Sequence, residues 1–170
     1  QSQVDGSWGA HLRAAMGQST YGQADASYRS SYGQVSGSVN QDRARTLATA
    51  QFDAADNMTD RMAALGCLAN RDCPERRQAL QAFYAQWQHE PLVVDKWLAV
   101  QAASRLPQTL AEVQRLCRHP AFDLRNPNKV YALIRSFCLG NHVRFHAADG
   151  SGYDFAAERI IELCRLVKQT

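Results

Sequence analysis

His142 and His146 stand one helical turn apart, the spacing at which two imidazoles can hold a zinc ion from one face of a helix. Zinc-activated hydrolysis also needs a base, and in the motif His-Glu-x-x-His the Glu directly follows the first His. Val143 occupies that position here, and the segment between Gly140 and Gly150 is too short to predict a stable helix. Asp149-Gly150-Ser151-Gly152 sets a serine among glycines, but a nucleophile elbow requires Gly two places before the Ser, where Asp149 stands, and a preceding strand. Ser151 reads instead as a helix N-cap with Asp154 three positions on, and such a Gly-rich helix start can also hold a phosphate or carboxylate.

Cysteines 67, 73, 117, 138 and 164 are an odd number and fall largely on apolar helical positions, which predicts reduced thiols packed in a core. No Cys-x-x-Cys pair exists, and no His pair completes a four-ligand zinc set. The sequence thus predicts no catalytic residue, no metal ligand and no cofactor within this chain.

The elements that would position these residues are helical from about Asp42 onward. Met58, Met62, Leu65 and Ala69 recur at helical spacing, as do Leu80, Phe83, Tyr84 and Trp87. Val130, Leu133, Ile134, Phe137 and Cys138 form another such stripe, and Tyr153, Ala156, Ala157, Ile160, Leu163, Cys164 and Val167 a further one. Phe83, Trp87 and Trp97 are predicted core, while Arg76, Arg77, Arg115 and Arg118 are predicted solvated helix faces. Asn57 with Asp60, and Asn126 before Pro127, supply N-caps. Pro74, Pro91, Pro107 and Pro127 suit first helical turns, and Gly140 suits a left-handed helix end. Short consecutive helices, each apolar on one face, predict a mainly α fold of stacked antiparallel helices, an α-solenoid or irregular bundle.

Composition changes sharply near residue 41. Residues 1–40 hold six of the ten glycines and no Lys or Glu, whereas residues 41–170 are rich in Ala, Leu, Arg and Gln. Two domains are therefore expected, a Gly/Ser/Tyr-rich leader over 1–40 and a helical-repeat domain over 41–170. Alternations such as Ala24-Asp25-Ala26-Ser27-Tyr28 and Gln34-Val35-Ser36-Gly37-Ser38-Val39 suggest short strands. With Gly6-Ser7-Trp8-Gly9 they resemble barrel strands of outer-membrane fimbrial ushers; a low-complexity leader without fixed structure is the other reading. Net charge is +3, with 19 basic residues spread among 16 acidic ones, so no nucleic-acid partner is expected. No run approaches the roughly 18 to 20 apolar residues of a membrane span, and the first residues lack a secretory pattern, so a cytoplasmic location is expected.

Ala55-Asp56-Asn57-Met58-Thr59-Asp60-Arg61, Val94-Asp95-Lys96-Trp97, Asn126-Pro127-Asn128-Lys129 and Phe145-His146-Ala147-Ala148-Asp149-Gly150-Ser151-Gly152-Tyr153 together resemble the C-terminal helical domain of bacterial aminopeptidase N, a zinc-dependent alanyl aminopeptidase. The resemblance spans residues about 43–162 and none of the zinc-binding domain. It implies a curved array of armadillo- or HEAT-like helices that closes over the zinc site of the parent enzyme. The chain itself would be non-catalytic, with the aminopeptidase catalytic domain as partner and peptides as the parent's substrates. By the Asn-Pro-Asn-Lys match, the resemblance implies that Lys129, with Asn128, lines the parent's interior cavity. It also implies further helices beyond Glu162, whose absence would leave an apolar face exposed on the last helix. The competing expectation is a stand-alone helical scaffold that binds a protein partner.

Overall fold

The protein is described by a computed structural model over residues 35–168. The usher-like segments within residues 1–34 lie outside the described residues. Two compact units divide the chain between Leu68 and Ala69.

In the first unit α1 (Val35–Ala54) leads to α2 (Met58–Ala69), which ends at the unit boundary. The strand expected over 34–39 is corrected: from Val35 onward the chain is helical, and α1 crosses the compositional break without interruption. Once a helix is nucleated, each added residue gains a backbone hydrogen bond, so the helical sequence after Asn40 can carry Gly37 and its serine neighbours. Ala44, Ala48 and Phe52, at intervals of four, are buried on one face of α1. The Arg61 guanidinium lies 5.7 Å from the Phe52 ring centroid and donates to Ala55 O at 2.8 Å, fixing the turn between the two helices.

The second unit contains α3 (Pro74–Trp87), α4 (Pro91–Ala102), α5 (Thr109–Leu116), α6 (Pro127–Val130), a π turn (Tyr131–Arg135), α7 (Ser136–Gly140), α8 (His142–Phe145) and α9 (Ser151–Lys168). Pro74, Pro91 and Pro127 each occupy a first helical position, where the missing N–H has no intrahelical role. Pro107 instead sits in the turn ahead of α5. α4 is the hub, packed on α3, α5, the π turn and α7. Leu98, Val113, Leu116, Leu133 and Phe137 are fully buried in these elements, each contributing roughly 1.5 to 3 kcal/mol relative to exposure. The Ser136 hydroxyl donates to Tyr131 O at 3.1 Å, five residues back, and so bonds a carbonyl of the wider turn.

Helix carboxyl ends leave carbonyls without intrahelical donors, and buried side chains satisfy several of them here. Ser104 Oγ donates to Ala69 O at 2.7 Å, and Arg76 Nε reaches the same oxygen at 3.2 Å. Asn141 Nδ2 donates to Ala102 O at 2.9 Å and Ser104 O at 2.6 Å, while Arg144 Nε donates to Arg105 O at 2.8 Å. These bonds join the end of α4 to the α7–α8 junction. Gly140 ends α7 without taking the expected left-handed conformation; the C-cap is Asn141, with φ −114°, whose side chain makes the bonds just described.

Candidate functional site

Asn57 Oδ1 accepts the Asp60 N–H at 2.9 Å, and the Asp60 carboxylate accepts from Asn57 Nδ2 at 2.8 Å, a reciprocal closure at the start of α2. Asn126 Oδ1 accepts the Asn128 N–H at 3.0 Å at the start of α6, where Asn128 is exposed. The N-cap assigned to Ser151 needs correction. Asp149 Oδ1 accepts both the Ser151 N–H at 3.0 Å and the Ser151 hydroxyl at 2.7 Å, and Gly150 O accepts from Tyr153 and Asp154 N–H. Gly150, at φ +75°, thus takes the cap position, because glycine alone meets little steric cost there. The Ser151 hydroxyl and N–H hold the Asp149 carboxyl below its usual range, so a carboxylate of the chain itself already sits at this helix start.

Lys129 is buried rather than open to a cavity in this chain. Its ammonium pairs with Asp95 Oδ1 at 2.7 Å and donates to Pro91 O at 3.0 Å, and the two side chains are 10% and 17% exposed. α6 is thereby locked to the first turns of α4.

His142 and His146 lie on a short helix and at its end, with rings nearly parallel and centroids 5.8 Å apart. Nδ1 of His146 is hydrogen-bonded to Tyr153 OH at 2.6 Å. Among the described residues no three His, Cys, Asp or Glu side chains converge as a metal ligand set, so these residues do not fit the zinc of the resembled parent. The cysteines are free; Cys67 is buried, but Cys164 is exposed, which corrects the expectation of a core thiol there. Burial pushes the Cys117 thiol up to about 11.

A cleft of about 430 Å³ opens between α3, α4 and α5. Helical spacing builds it: Arg77, Leu80, Gln81 and Tyr84 form one stripe of α3, Trp97 and Gln101 lie one turn apart on α4, and Glu112, Arg115 and His119 follow along α5 and the turn after it. Trp97 Nε1 donates to Leu80 O at 2.9 Å, which fixes the indole against α3. Its ring centroid lies 4.7 Å from Tyr84 and 5.3 Å from His119. His119 Nδ1 accepts the Ala121 N–H at 3.1 Å, so the neutral ring carries its proton on Nε2. Burial, and then the charge of Arg115, lower the His119 pKa.

Cations outnumber anions in this cleft. Arg115 binds Glu112 through two hydrogen bonds, 2.6 and 3.0 Å, and that contact holds the Glu112 carboxyl below its usual range. Arg77 is exposed and forms no ion pair among the described residues. Arg76, expected on a solvated face, is only 8% exposed. Beyond its Nε bond to Ala69 O, no acceptor among the described residues takes its terminal N–H groups. Sequence reasoning missed the cleft because charge alone does not show which arginine turns inward; the local signal was Leu80, one helical turn on from Arg76.

Short helices stacked through apolar stripes, around a hub helix and without a converging donor set among the described residues, define a helical-repeat domain. Over residues 13–170 the chain matches the family described as "Domain of unknown function (DUF3458_C) ARM repeats", and it belongs to that family, the C-terminal helical domain of aminopeptidase N-like proteins. The match takes in most of the segment that composition set apart as a leader. Similar proteins include aminopeptidase N of Caulobacter vibrioides, 41% identical over 112 residues, covering 66% of this chain and 13% of that protein. Aminopeptidase N of Escherichia coli is 39% identical over 120 residues, covering 71% and 14%. The crystal structure of Legionella pneumophila aminopeptidase A in complex with aspartic acid superimposes with a TM-score of 0.69 at 38% identity, over 75% of this chain and 15% of that one. The chain thus spans about one seventh of the length of the relatives it matches.

Proposed function

We propose that this chain is a non-catalytic part of a zinc aminopeptidase, covering the active-site cavity and restricting entry to peptides with free N-termini. The observation that carries this reading is its 38–41% identity to one segment of aminopeptidase N from three bacteria. A further observation supports it: the family is one of helical repeats, whose surfaces suit docking rather than bond cleavage. Zinc-activated water would come from the catalytic domain, the proposed partner. Lys129 and Asn128 would act in that cavity indirectly, through the seating of α6 on α4.

Hydrolysis of an alanyl arylamide, with zinc content measured in parallel, tests the proposal on the chain alone and after mixing with an aminopeptidase N fragment that lacks this domain. Activity and zinc are expected in the mixture and not in the chain alone. Turnover by the chain alone would overturn the non-catalytic assignment, and absence of association would favour a stand-alone scaffold. A cytoplasmic location belongs to the same proposal; recovery of the whole protein from the periplasm on cell fractionation would overturn that part.

A further inference from the structure

We propose that the cleft between α3, α4 and α5 binds a carboxylate bearing an aromatic or apolar side chain, the chemistry presented by the C-terminal residue of a peptide. The proposal does not rest on the peptidase reading, since it is argued from the cleft's own side chains, all of them within the second unit. Arg76 is its first support. An arginine 8% exposed, whose terminal N–H groups meet no acceptor among the described residues, is a planar fork of donors held ready for a planar two-oxygen acceptor. Arg77, one residue on, adds a cation without an ion pair among the described residues.

The third cation of the cleft is neutralised within it. Arg115 is already engaged by Glu112, and that carboxylate stays in the wall as a fixed negative charge. Three guanidiniums against one carboxylate leave the cleft a net positive charge that a dianion such as a phosphomonoester could also meet, so what selects a carboxylate is geometry: the planar fork of Arg76 beside the neutral acceptor of Gln101. The floor selects what accompanies the carboxylate. Tyr84, Trp97 and Leu80 present an aromatic and aliphatic surface that Trp97 Nε1 pins in place. Gln101 is 1% exposed, and its Nε2 donates to Trp97 O at 3.0 Å, leaving Oε1 as an acceptor that suits the N–H beside a C-terminal residue. A volume of about 430 Å³ matches one such residue with its preceding amide.

Titration of the complete 170-residue chain, labelled with ¹⁵N, tests the site with N-acetylphenylalanine, its uncharged amide N-acetylphenylalaninamide, and phenyl phosphate. The acid is expected to shift the Trp97 indole and the cleft amides saturably. The amide is expected to bind about tenfold more weakly or worse, the loss of a charge-assisted hydrogen bond. Arg77→Gln, at an exposed position, is expected to weaken the acid several-fold while leaving the melting midpoint in place. Arg76→Lys keeps the charge but removes the fork and is expected to weaken the acid further; if that variant proves unfolded, Arg77→Gln and the amide comparison still decide. Equal binding of acid and amide, tighter binding of phenyl phosphate, shifts confined to residues outside the cleft, or no saturable shift up to about 10 mM acid would each overturn the proposal. None of these outcomes depends on aminopeptidase activity.

Discussion

Lys129 and Asp95 share one buried ion pair, and removing either partner strands the other charge in a place where water cannot replace it. Lys129→Met is therefore expected to destabilise the chain by about 3 kcal/mol in urea unfolding, and the double variant Lys129→Met with Asp95→Leu by clearly less. Equal losses would show that the ammonium acts through its packing alone. The position was legible as special from Asn126-Pro127-Asn128-Lys129, but its partner was not, because Asp95 lies on a helix more than thirty residues earlier in the chain. His119 gives the pH response. Its folded pKa is lowered, so the folded state favours the neutral ring; the resulting stability is complete above the ordinary value of 6.5 and is lost as pH falls through the lower folded value. The Glu112 carboxyl, also lowered, loses its contribution only below its ordinary 4.5, so the two windows separate. Between pH 7.5 and 5.5 the melting temperature is expected to fall more steeply for the wild-type chain than for His119→Gln, and identical slopes would remove His119 from this role.

Helix starts and stripes were legible because a proline at a first helical position and a 3.6-residue apolar period are local properties, which is why α3, α4 and α6 begin where their prolines predict. Junctions were not, since their geometry depends on side chains distant in sequence. Ser151 carried the composition of a cap, yet Asp149 takes its hydrogen bonds and Gly150 its position. Alternation suggested strands over 34–39, yet α1 extends through 35–39. The α8–α9 junction shows what such distance hides: a Cβ on Gly152 would come within 2.8 Å of Phe145 Cα and closer still to its carbonyl. α9 can approach α8 only because residue 152 has no side chain, and this approach accompanies the edge-to-face contacts of Phe145 with Phe137 and Tyr153. Gly152→Ala is expected to destabilise the chain by about 1 to 3 kcal/mol despite its gain in helix propensity. An unchanged or raised melting temperature would show that the junction yields without loss. At the same junction, Asn141→Leu leaves the Ala102 and Ser104 carbonyls without their buried donor and is expected to cost about 1 to 3 kcal/mol, read from the same unfolding curves.

At the scale of the whole molecule, apolar side chains left exposed on α7, α8 and α9 set its behaviour in solution. Leu139 and Ile160 are 62% and 59% exposed, and Val143, Tyr153 and Ile161 are at least half exposed, although the period of α9 places Tyr153 and Ile160 in its apolar stripe. Stripes of this kind are normally covered in a helical array, because each repeat buries its apolar face on a neighbour. Apolar side chains left exposed in this way lower their free energy by excluding water against another apolar face. The relatives extend well beyond the matched segment. In the isolated 170-residue chain the expected consequence is reversible self-association, seen in light scattering as a mass that rises with concentration. Ile160→Glu combined with Ile161→Glu places two charges on that face and is expected to return the chain to monomer without lowering its melting temperature, since both positions are already exposed. A wild-type chain that stays monodisperse at all concentrations would show that this surface is tolerated in water, and association that survives both substitutions would place the contact on another face.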